Sequence, residues 1–65
     1  MTAKDQLKLL NAGFTIIRKE ESAMKIKFKD RKNHDWKTLS SGFASKAALQ
    51  REVDHLLKSS IIIED

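Results

Sequence analysis

Lysine recurs at alternate positions, Lys25, Lys27 and Lys29, with Met24, Ile26 and Phe28 interleaved. A period of two is the side-chain period of a β-strand, so the apolar groups fall on one face and the ammonium groups on the other, roughly 6.6 to 7 Å apart. That interval is comparable with the spacing of successive phosphates along one strand of nucleic acid, and the chemistry on offer is the gripping of a polyanion. Lys19 and Lys37 can extend the row onto neighbouring strands, and Arg31 and Lys32 follow it directly. Natural sheets also carry lysine simply to stay soluble. The distribution of charge weighs against that explanation. Residues 18 to 37 hold eight cations and four anions, which accounts for the whole formal net charge of +4.

No other constellation offers chemistry of its own. His34 and His55 lie far apart in the sequence, each beside an aspartate, and neither has zinc-ligand spacing. No serine stands in a nucleophile-elbow pattern, and with Gly13 and Gly42 as the only glycines there is no glycine-rich phosphate loop. Glu20 and Glu21 fall in an expected turn, where solvated carboxylates have no apolar pocket to raise a pKa for acid catalysis. We therefore expect a binding protein that is not an enzyme and has neither a metal nor a cofactor.

The elements that must position the lysines are few. The chain has 65 residues, 40% hydrophobic and 34% charged, without cysteine or proline. A single small domain spanning residues 1–65 is expected, with every large apolar side chain needed for its core. The absence of cysteine fits a reducing interior. The first residues are polar and the longest apolar run is Ile61-Ile62-Ile63, far short of a membrane span or signal peptide. The expectation is a cytoplasmic protein, complete from Met1, with no membrane partner.

Thr2 followed three residues later by Asp5 has the form of a capping box, and Ala3, Leu7 and Leu10 recur at helical spacing up to Gly13. This predicts a short helix from about Ala3 to Ala12. Phe14 to Lys19 reads as a strand, Glu20 to Ala23 as a turn, and Met24 to Lys29 as the lysine-bearing strand. After a polar loop over Asp30 to Asp35, Trp36 to Leu39 makes a third strand, broken by Ser41-Gly42. Ser45 caps a second helix from about Lys46 to Lys58, whose Leu49, Val53, Leu56 and Leu57 form one stripe. Ile61 to Ile63 either pair as an extra strand or fold back over the core. The expected fold is α+β, in the order α-β-β-β-α. It is a three-stranded antiparallel meander with both helices on one face and the other face open to solvent.

Phe14, Phe28 and Phe43 are expected in the core. Trp36 is expected there too, because so small a domain rarely leaves its largest apolar side chain in water. If Leu39 faces inward, strict alternation points Trp36 outward beside the lysines, where it could stack on a base. A bulge would let both be buried.

From Leu39 to Ala48 the sequence Leu-Ser-Ser-Gly-Phe-Ala-Ser-Lys-Ala-Ala resembles the last strand and helix start of the AP2-like and arm-type DNA-binding domains of phage and transposon integrases. There a third strand runs into Gly-Phe, a Ser or Thr cap, a basic residue and alanines. The resemblance spans residues 14 to 58 as a β-β-β-α order and implies DNA contact through the outer face of the sheet, here by Lys25, Lys27, Lys29 and Lys37. The leading helix departs from that pattern and resembles the α-β-β-β-α order of double-stranded-RNA-binding domains. Those carry a denser basic cluster at the start of the last helix, where this chain has only Lys46 and Arg51. DNA is therefore preferred to RNA, in an accessory role in a mobile element or in regulation. The alternative is a protein-interaction or inhibitory module, or self-association, through an edge strand or Ile61, Ile62 and Ile63.

Overall fold

The computed structural model describes residues 2–65. Its elements are α1 (Ala3–Asn11), β1 (Thr15–Glu20), a 3-10 turn (Glu21–Ala23), β2 (Lys25–Lys29), β3 (Lys37–Ser40), α2 (Lys46–Leu56) and β4 (Ile62–Glu64). Both expected caps form. Thr2 Oγ1 accepts from the Asp5 N–H at 3.1 Å and Ser45 Oγ from the Ala48 N–H at 3.1 Å, so each helix starts where its side-chain acceptor stands. At the other end of α1, Gly13 takes a φ of +97°. Its N–H reaches Leu10 O at 3.1 Å while that of Phe14 reaches Leu9 O at 3.0 Å, a Schellman closure that turns the chain straight into β1.

The α+β class is as expected, but the sheet is mixed. Its order is β3-β2-β1-β4, with β1 antiparallel to β2, β2 antiparallel to β3, and β4 parallel to β1. This corrects the three-stranded antiparallel meander. The isoleucine run supplies the extra strand, placing Ile62 beside Thr15 and Ile63 beside Ile16. β1 thereby becomes central, with ladder partners on both edges, and its Ile16 and Ile17 are both fully buried.

That pair also explains a second correction. Adjacent strand residues point to opposite faces, so two buried neighbours require cover on both. Ile17, Ile26, Leu49 and Val53 form the cluster under α2, flanked by Met24, Phe28, Phe43, Leu56, Leu57 and Ile62. Ile16 lies on the other face, paired across the ladder with Lys29. There α1 covers it, with Leu10 buried and Gln6 Oε1 accepting from Lys29 Nζ at 2.9 Å. The helices therefore sandwich the sheet and do not share a face. Phe28 and Phe43 pack against the main cluster as expected, and Phe14 is half-buried.

Candidate functional site

Cross-strand partners share a face, so the register sorts the cations. Lys25, Lys27 and Lys29 lie on the α1 side, opposite Glu20, Arg18 and Ile16 of β1. Ile26 is fully buried and Phe28 packs with it on the α2 side, so the alternation read from the sequence holds through β2. Arg18, passed over in the sequence reading, stands beside Lys27 at the middle of this face. Parity was the signal that could have found it: with Ile17 turned to the α2 core, its neighbour must turn the other way.

The same rule removes two expected members. Lys19 pairs with Ile26 and reaches α2, where its ammonium donates to Gln50 Oε1 and lies 3.4 Å from Glu21. Lys37 pairs with Phe28 and so belongs to the α2 side of the edge strand β3. Neither extends the lysine row. Arg31 and Lys32 are exposed in the loop after β2, off the sheet. There Asp30 Oδ1 accepts the backbone N–H groups of Lys32 at 2.9 Å and Asn33 at 2.8 Å and closes a tight turn.

Trp36 is the clearest surprise. It precedes β3, is half-buried, and stands on the cationic side outside the main core cluster. Lys29 Nζ lies 4.6 Å and Arg18 Cζ 5.1 Å from its ring centroid, within cation–π range. The bulge that could have buried both Trp36 and Leu39 does occur, as Ile26 pairs with Ser40 but Lys27 with Thr38. Leu39 is the residue it extrudes, and it is 43% exposed.

These contacts close a circuit. Arg18 Nη2 lies 3.4 Å from Asp65 Oδ2, Asp65 Oδ1 accepts from Gln6 Nε2 at 3.1 Å, and Gln6 Oε1 accepts from Lys29 Nζ. Lys29 and Arg18 both meet Trp36. The circuit joins α1, β1, β2, the segment before β3 and the residue after β4. Alongside it, Lys27 Nζ lies 3.1 Å from Glu20 Oε2, an oxygen closed to water that has this ammonium as its facing charge. The ridge is thus half-buried and partly neutralised, which corrects the face open to solvent that the alternation predicts.

Among the described residues no group of three or more His, Cys, Asp or Glu side chains comes together as a metal site, and no helix is long and apolar enough to cross a membrane. His34 and His55 are both exposed. Comparison with known protein families, with curated proteins and with solved structures finds no match.

Proposed function

We propose that the protein binds nucleic acid, duplex DNA before RNA, by laying the part of its sheet's α1-side face that α1 leaves uncovered against phosphates. The observation that carries this reading is the ladder register. It gathers Arg18, Lys25, Lys27 and Lys29 on one face, with Glu20 and Asp65 as the facing acids. Fixed cations on a rigid sheet suit a polyanion whose own charges are regularly spaced. The integrase-type resemblance implies contact by Lys25, Lys27 and Lys29 of this face, but also by Lys37, which lies on the other, and with it goes an accessory or regulatory role in the cytoplasm.

Trp36 takes a positioning part in this reading. Two cations already lie over its ring, so it holds them in place and does not offer a bare surface to a base. The alternative, a protein partner adding a strand at an edge, is favoured by the exposed Leu39 on β3. Ile62 and Ile63 are less suited to it, being engaged with β1.

An amide chemical-shift titration with a short DNA duplex tests the proposal. Shifts should map to β1, β2 and the Trp36 segment. If four cations each neutralise one phosphate, log affinity should fall against log salt with a slope of about −3.6, roughly 150-fold between 50 and 200 mM. Replacing Lys25, Lys27 and Lys29 together by glutamine should remove the shifts while core amides stay in place. No response at low salt, or a response confined to α2 and β3, sinks the reading.

A further inference from the structure

The cationic face carries its own anion in an exchangeable position. A carboxylate and a phosphate both offer paired anionic oxygens to a guanidinium, and one edge of the guanidinium holds only one of them at a time. We propose that Asp65 occupies the seat on Arg18 that a backbone phosphate takes, so that this side chain is a built-in competitor setting the affinity of the face. The inference rests on the nucleic-acid reading above and adds to it the residue that must give way.

Geometry supports exchange at this contact. The Arg18 side chain is 52% exposed, so a ligand can approach it, whereas that of Asp65 is 10% exposed and the residue is held from other directions as well. Its backbone N–H donates to Ile17 O at 2.9 Å, and its Oδ1 accepts from Gln6. The ladder therefore delivers the carboxylate to Arg18 in every folded molecule. The ion pair spans 3.4 Å, beyond the roughly 2.7 to 2.9 Å of a tight charge-assisted hydrogen bond, which leaves room for a phosphate oxygen to make the closer contact. The contact of Arg18 with Trp36 does not involve the carboxylate and keeps the guanidinium in place during the exchange. The Lys27–Glu20 pair is different, because the Lys27 side chain is only 29% exposed, against 52% for Arg18, and a phosphate approaches its ammonium less readily.

Affinity for a short DNA duplex, measured at about 50 mM salt, separates this competition from a general charge effect. Glu64 is the control. It is exposed, pairs with Ile17 on the α2 side, and loses the same charge when made glutamine. Asp65→Asn should bind about three- to fivefold tighter than wild type, and Glu64→Gln less than about twofold tighter. With Arg18→Gln in the background, the two substitutions should have equal effects. Equal effects while Arg18 is present overturn the competitor assignment and leave the nucleic-acid reading standing. Failure of wild type and Asp65→Asn alike to bind removes both. A second measurement needs no variant. On titrating wild type with the duplex, the Arg18 Nε–Hε and Asp65 side-chain carboxyl resonances should shift along one isotherm. A carboxyl signal that stays still while DNA binds overturns the proposal even if Asp65→Asn does not fold.

Discussion

The two faces of the sheet are held by different forces. Under α2, Ile17, Ile26, Leu49 and Val53 are sealed from water, and the bond is apolar burial, about 1.5–3 kcal/mol per side chain and not screened by salt. Under α1 the fully buried apolar groups narrow to Leu10 and Ile16, with half-buried Ile63 beside them, and much of the rest is the circuit of Arg18, Asp65, Gln6, Lys29 and Trp36. Polar and ionic contacts at a wet surface contribute little net stability, but a ligand can exchange them. The lesson is a division of labour, in which one face keeps the fold and the other can trade internal partners for external ones.

Core truncations test the division most severely. Ile26→Ala should cost about 2–5 kcal/mol in urea unfolding, most of what a chain of this length possesses, on the order of 3–10 kcal/mol. Ile16→Ala should cost at least about 2 kcal/mol, because that side chain is equally buried. A loss under about 1 kcal/mol would show that α1 shields no core of its own. Next in size, Lys27→Ala should cost about 1–3 kcal/mol by stranding Glu20 Oε2, while Lys25→Ala stays within about 0.5 kcal/mol. Equal costs for the two would mean that the buried oxygen does not depend on the Lys27 ammonium.

Gly13→Ala should cost about 1–2 kcal/mol. The strain is in the backbone alone, since a Cβ there meets nothing within 4 Å. Amide exchange should locate the damage in α1. The smallest effect is the most diagnostic of the contrast: raising salt to about 1 M, where charges beyond roughly 3 Å are screened, should speed hydrogen exchange in α1 severalfold and leave α2 unchanged. Uniform loss of protection would make the two faces one cooperative unit.

The sequence made the local elements plain. Thr2, Gly13 and Ser45 mark helix ends with side chains or φ angles that act within a few residues, and the alternation through β2 is equally local. What stayed hidden was non-local. A run of three isoleucines carries no sign of which strand it will join or in which direction, so β4 could be named as a possibility but not placed. Parity, by contrast, is legible within a strand and carries across the ladder. Two adjacent isoleucines in β1 already required a covered second face, and the same alternation assigns Arg18 to the lysine side and Lys19 to the other. Lys37 and Trp36 depended on the register and bulge of β3, which no pattern within that short strand specifies.

The parallel pairing of β4 with β1 has a consequence for how the molecule assembles. The β1–β2 hairpin needs only a four-residue turn to close, whereas Thr15 meets Ile62 only after nearly the whole intervening chain has been gathered in. Loop closure over so long a stretch is entropically slow, so the hairpin and α2 should collapse first and the final strand should dock last. Until it does, the inner edge of β1 lies open to a neighbouring chain, and the vulnerable moment for misassembly falls at that last step.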